Sequence, residues 1–377
     1  MSKKILLISP PFLPIKSDLR YGGTERVILG LYTQLREMGH ECFIAAPSDS
    51  EIDHLLPTVP SIGVSSLYSP MTPAAVLREH TYQKLQHVAR VLQICEKIDP
   101  DIIHSHDDYL LPFSSALRKP MVTTLHCCFY EEFWKGELNP GLVDEKTPLV
   151  ALSKVQQELY SSHGWSVDFL VYNGIDINKY SLSSKKSDFL FSMAALLSHK
   201  GQREAILVAK KLGKNLILAG NIVDRTYYET QIAPHLTSIT TTANPFEECS
   251  KILLGSNSKV IFVGELNDEQ KLPFLQHAQV FLAPYFEDKS CPLAPLEAMA
   301  CGTPVLAFRK GALPEIIVQG KTGFFVDSLD EMVEHVAFSA DIAPKNCRDH
   351  VNDSFSLERM AQNYLRIYEE ISREHKK

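Results

Sequence analysis

The stretch FLAPYFEDKSCPLAPLEAMACGTPV, residues 281–305, most narrows what this 377-residue chain can fold into. Val280, Phe281, Leu282 and Ala283 form a short apolar run stopped by Pro284, the mark of a strand buried on both faces in a parallel sheet. A second run, Pro304 to Phe308, follows the turn Cys301-Gly302-Thr303. Between them Leu296-Glu297-Ala298-Met299-Ala300 are good helix formers, and proline is tolerated in a first turn, so a short helix is predicted from near Pro295. A helix N-terminus at the carboxyl end of a parallel strand is a ready anion site. Taken alone, the stretch is better read as a crossover helix with one exposed glutamate.

The rest of the chain repeats the alternation. Ile5 to Ser9, Glu41 to Ala46, Asp101 to His104, Met121 to Leu125 and Pro148 to Ser153 read as strands. The turn Gly22-Gly23 opens a helix carrying Val27, Leu31 and Leu35 at helical spacing and ending at Gly39, and Ala74 to Ile98 is a long amphipathic helix. A second series starts at Phe189 to Met193 and continues with Leu216 to Gly220, Val260 to Gly264, Val280 to Ala283 and Val305 to Phe308. The polar stretch Thr237 to Lys259 reads as an insertion or a long surface loop, and Phe355 to Glu370 as a closing amphipathic helix. Strands alternating with helices imply parallel sheets of Rossmann type, and the length implies two α/β domains. No G-x-G-x-x-G is present, so a nicotinamide-binding reading has no support.

Composition removes other classes. Hydrophobic content of 45% with 22% charged residues is that of a globular protein. No apolar run is long enough to span a membrane, and the one near the N-terminus is too short for a signal peptide. A net charge of −7 without a basic block argues against nucleic acid as a partner. The eight cysteines show no metal-ligand spacing and read as reduced thiols, hence a cytoplasmic location, with peripheral attachment to a membrane left open. His104 and His106 share a strand face and could chelate a metal, but no further ligand has matching spacing. The preferred reading of His104 is a strand-end histidine satisfied by neighbouring backbone.

Several motifs together resemble a known family. Pro295-Leu296-Glu297-Ala298-Met299-Ala300-Cys301-Gly302-Thr303-Pro304-Val305, then Gly311-Ala312-Leu313-Pro314-Glu315 and Gly320-Lys321-Thr322-Gly323-Phe324, look like the donor-site signature of the retaining glycosyltransferases of family 4. The resemblance implies a GT-B fold: two Rossmann-like domains facing a central cleft, with a C-terminal helix crossing back to the first. It places an N-terminal acceptor domain at 1–174, a donor domain for the nucleotide sugar at 175–354, and the closing helix at 355–377. Val171 to Asp176 resembles the interdomain segment.

It also implies roles. Glu297 is the second glutamate of an E-x7-E motif and accepts hydrogen bonds from the nucleotide ribose, a task suited to an acceptor-only carboxylate. Gly22 and Gly23 stand where the family has its glycine loop, letting the backbone approach a pyrophosphate. His126 matches the histidine beside the transferred sugar, and Lys200 the lysine on the donor diphosphate; these two are the predicted catalytic residues. Gly264, in Val263-Gly264-Glu265, is placed at the base edge, and Leu293 is assigned with the donor set.

Three positions depart from the pattern: Ala195 replaces the diphosphate-binding arginine, Lys289 the first glutamate, and Pro292 a glycine that offers its N–H. Each lost charge-assisted bond costs about 1.5–3 kcal/mol. Arg203, three residues past Lys200 and expected on the same helical face, His199, and Glu287, two residues before Lys289, are the compensating candidates, with Lys289 itself. The aromatic, acidic segment Cys127 to Lys146 reads either as an acceptor-facing flap or as a loop packing its rings inward.

The function expected is metal-independent retaining transfer of a hexosyl group, without a cofactor, from a UDP- or GDP-sugar to a hydroxyl of a glycan, a lipid-linked glycan or a small molecule. The alternative is a degenerate GT-B protein that binds a sugar nucleotide or glycan without turnover.

Overall fold

A computed structural model of the chain describes residues 2–63, 73–126, 147–254, 258–287 and 290–375. Lys289 and the segment 127–146 lie outside these residues. The chain divides into two compact units, Met1–Gly174 with Leu357–Lys377, and Ile175–Ser356.

In the first unit, strands β1 (Lys4–Ile8), β2 (Glu41–Ala46), β3 (Leu55–Pro57), β4 (Ile102–Ser105), β5 (Met121–Thr124), β6 (Leu149–Ala151) and β7 (Phe169–Leu170) form a sheet among the described residues. Their order is β3-β2-β1-β4-β5-β6-β7, and every pairing is parallel. The order reverses between β1 and β4, and the carboxyl ends of strands at such a switch point form a crevice for ligands. Helices α1 (Gly23–Glu37), α2 (Pro73–Ile98) and α3 (Lys154–Ser162) belong to this unit. Leu6, Ile8, Ala45 and Ile103 pack with Val88, Val91 and Ile94 of α2 into its core.

The second unit carries β8 (Phe189–Met193), β9 (Asn215–Ala219), β10 (Ser238–Ile239), β11 (Val260–Phe262), β12 (Val280–Ala283), β13 (Val305–Phe308) and β14 (Gly323–Val326), in the order β10-β11-β9-β8-β12-β13-β14, again all parallel. Its switch point lies between β8 and β12. Its longer helices are α4 (Gln202–Leu212), α5 (Pro245–Ile252), α6 (Asp268–His277), α7 (Leu293–Ala300), α8 (Leu329–Phe338) and α9 (Pro344–Phe355). Phe191 stacks on Phe274 with centroids 5.4 Å apart and meets Phe281 edge-on at 5.8 Å, which ties β8 and β12 to α6.

The last helix, α10 (Leu357–Glu374), counts with the first unit. It buries Met360, Ala361, Tyr364, Ile367, Tyr368 and Ile371, one stripe at helical spacing. It begins at Leu357 and not at Phe355, because Phe355 is the last residue of α9. Leu357 lies against Gly30 of α1, where a Cβ would fall 2.6 Å from its Cδ2.

Other sequence expectations shift. The stretch 237–259 is not a bare loop: it holds edge strand β10 and helix α5, whose Asn244 cap accepts from Glu247 N–H and whose Pro245 fills the first turn. Helix α7 starts at Leu293, two residues before Pro295, since a first-turn proline forfeits only an N–H the helix does not use. Among the described residues no helix is long and apolar enough to cross a membrane.

One buried pair gives the first unit a pH signature. Asp107, 1% exposed, accepts Tyr109 N–H on Oδ1 and lies 3.5 Å from His87 Nε2 through Oδ2. Burial, then neighbouring Asp108, pushes the Asp107 carboxyl up to about 8, against the Tyr109 N–H and then Lys84, and burial pushes the His87 imidazole down to about 4. Between its ordinary 3.8 and about 8 the folded state holds the Asp107 proton more tightly than the unfolded chain, so this group makes stability fall as pH rises. His87 acts in the opposite direction, but only below 6.5. Asp107→Asn is therefore expected to flatten the loss of thermal stability from pH 6.5 to 8, read from melting curves. An unchanged slope would remove Asp107 as its source.

Candidate active site

In the second unit β8 delivers Lys200 to the switch point. The strand runs into a tight turn, Ser198–Lys200, closed by Gly201 at φ 68°. Any side chain there would be strained, and a Cβ would sit 2.0 Å from the Pro284 carbonyl, so only glycine lets the two loops meet. His199 C=O accepts Phe286 N–H at 2.9 Å, a strap between the loops after β8 and β12. Lys200 Nζ stands 4.8 Å from the ring centroid of the buried Tyr285. A cation over an aromatic face at a switch point is suited to a diphosphate. Ala195 offers its carbonyl to Gln202 Nε2 at 2.8 Å.

Glu297 lies on α7 and is 4% exposed. Lys271 Nζ of α6 and Tyr180 Oη both donate to its Oε1, at 2.8 and 2.9 Å, and Lys271 also meets Asp268 at 2.9 Å. The predicted ribose acceptor thus holds two protein donors on one oxygen. Sequence reasoning missed both, although Lys271 has a signal: it shares the apolar stripe Lys271, Phe274, Leu275, Ala278, where a lysine needs a buried partner.

The remaining donor candidates separate. Lys200 and Arg203 do not share a helical face, because Gly201 in the left-handed conformation breaks the chain between the turn and α4. Arg203 and the exposed Glu287 instead line a concavity of 470 Å³ with Ser198, His199, Glu204, Tyr227, Gln231 and Phe286; neither Lys200 nor Glu297 is among its described lining. Gly264 gives its carbonyl to Gly220 N–H at 2.8 Å. Leu293 is the half-buried first residue of α7.

In the first unit, Gly22 caps α1 at φ 124° and Gly23 is its exposed first residue. Behind Gly22 lies the carboxylate of Glu25, 4% exposed, whose Oε2 would be 2.8 Å from a Cβ on residue 22. Burial raises Glu25 to about 7. The N-terminus of α1 therefore carries its own acid, which sequence reasoning did not include. His126 follows β5 and holds Nε2 2.7 Å from His106 Nδ1. Burial pushes His126 down to about 3, so its ring is neutral at working pH. His104 is satisfied by side chains, not backbone: Nδ1 meets Tyr368 Oη at 2.7 Å and Nε2 meets Thr124 Oγ1 at 2.8 Å. Among the described residues no group of three or more His, Cys, Asp or Glu is placed to hold a metal.

The two all-parallel, doubly wound sheets match those of GT-B glycosyltransferases. Sucrose-phosphate synthase from Thermosynechococcus elongatus superposes with a TM-score of 0.71 at 18% identity, covering 98% of this chain and 99% of that one. Anabaena Alr3699/HepE, solved with UDP and glucose, does so at 0.66 and 16%, covering 98% and 100%. Residues 21–179 match the family described as Glycosyltransferase Family 4, and residues 175–339 the family described as Glycosyl transferases group 1. A phosphatidyl-myo-inositol mannosyltransferase of Propionibacterium freudenreichii subsp. shermanii is 24% identical over 320 residues, 80% of this chain and 77% of that protein. The chain belongs to the family 4, group 1 glycosyltransferases.

Proposed function

We propose that the protein is a retaining hexosyltransferase that uses a UDP- or GDP-sugar and needs neither metal nor further cofactor. The observation that carries this reading is Lys200, set by the Gly201 turn over Tyr285 at the switch point of the second unit. Fixed there, its charge opposes the negative charge that grows on a departing diphosphate, the work a metal does elsewhere. The sugar C1–O bond to phosphate breaks, the acceptor oxygen bonds C1 on the same face, and the acceptor proton passes to the leaving phosphate. The reading assigns His126 to the transferred sugar and Glu297 to the ribose, the first unit to the acceptor and the second to the donor. The mannosyltransferase relative makes a membrane-bound acceptor worth testing, and with it peripheral attachment.

A thermal-shift panel of UDP-, GDP-, ADP- and CDP-sugars tests the donor. A true donor at 100 times its dissociation constant is expected to stabilise by about 2.7 kcal/mol. No shift with any of the four would sink the reading.

The second reading, binding without turnover, is favoured by one observation: Glu297 already accepts Lys271 and Tyr180 on the oxygen the ribose would need. A shift in the panel with no sugar released or transferred would select it.

A further inference from the structure

We propose that His106 is a positioning residue: it fixes His126 in the tautomer that carries its proton on Nδ1. The inference rests on the reading that puts His126 at the transferred sugar and adds what His126 can do there.

The two rings are held in a stack. His106 N–H donates to Ile8 C=O at 2.9 Å, which pins the end of β4 to β1. Its ring lies between those of His104 and His126, with centroids at 4.1 and 5.0 Å and planes 35° apart in both cases. His104 is anchored by Tyr368, and through Thr124 Oγ1 the network reaches Tyr364 Oη at 2.9 Å, so the face of α10 backs the stack.

The bond between His106 Nδ1 and His126 Nε2 needs one proton. Both rings are neutral, because burial depresses the two imidazoles, so each carries a single N–H. If His126 donated from Nε2, the proton of His106 would sit on its own Nε2. Among the described residues that atom is buried and has no partner, and an orphaned N–H is the rarer fault. If His106 donates from Nδ1, the orphan is only a lone pair. His126 then accepts on Nε2 and keeps its proton on Nδ1. In that state His126 gives a hydrogen bond to a substrate oxygen and cannot take the acceptor's proton, which leaves that proton to the departing phosphate.

The experiment is nitrogen-15 NMR of the histidine rings in the full chain, with His126→Ala to assign the signal and two variants of residue 106. Wild type is expected to show His126 protonated on Nδ1. In His106→Leu that signature should be lost and kcat should fall about 10- to 100-fold, up to the scale of one oriented donor, while donor affinity stays within about threefold. His106→Asn places an amide N–H near the old Nδ1 and should restore both tautomer and rate. Protonation on Nε2 in wild type, or an unchanged tautomer in His106→Leu, overturns the proposal. A tautomer lost in His106→Leu with full turnover keeps the proposal and sinks the assignment of His126 to the sugar. If the leucine variant does not fold, wild type and His106→Asn decide.

Discussion

Lys271→Ala is expected to destabilise the protein by about 3–5 kcal/mol, the cost of leaving one partner of a buried ion pair alone. The side chains of Lys271 and Glu297 are 4% and 5% exposed, so the carboxylate left behind would have Tyr180 Oη and no cation. Desolvation makes such pairs weak contributors while intact and severe liabilities when halved. The double variant Lys271→Met, Glu297→Leu should therefore be far more stable than Lys271→Ala, because an apolar filling of similar volume strands no fully buried charge, Asp268 being 31% exposed. Urea unfolding followed by circular dichroism, run as a double-mutant cycle, reads the coupling. A single variant within about 1 kcal/mol of wild type would mean that water replaces the lysine.

Lys200→Met should lower kcat/KM by about 10²–10³-fold with the fold unchanged, the scale on which one preorganised charge on a leaving group is measured. The family's arginine partner is absent at Ala195, so Lys200 carries more of the load than it would in a relative that has both. Its placement comes from backbone: the Gly201 turn, the Pro284 carbonyl where a Cβ would be, and the bond from Phe286 N–H to His199 C=O. A half-buried lysine over Tyr285 leaves no cavity in the core when replaced, so lost activity would not be lost folding. The loss should fall on kcat, because charge on the diphosphate grows only as the bond breaks. A rise in KM alone would make Lys200 a binding residue.

The relation between text and structure follows from distance along the chain. Buried parallel strands announce themselves as apolar runs, so β1, β2, β8, β9, β12 and β13 were legible to within a residue or two. The edge strands β3, β7, β10 and β14 were not: the first three hold only two or three residues and carry no period, and β14 opens on Gly323 of the 320–324 motif. The family motif pointed to Lys200 and Glu297 as positions and said nothing of what surrounds them.

What the sequence determined alone is local: which segments are apolar on two faces, where the Gly22-Gly23 turn starts α1, and that residues 281–308 run strand, helix, strand. What only the tertiary structure decided is which side chains meet. Lys271 and Glu297 are 26 residues apart, Tyr180 and Glu297 117, His104 and Tyr368 264. Such meetings depend on how helices and strands settle against one another, and propensity, a property of neighbouring residues, does not encode that. The Glu297 carboxylate was readable as an acceptor; that its first donors are a lysine and a tyrosine of its own unit became visible only once α6 lay beside α7.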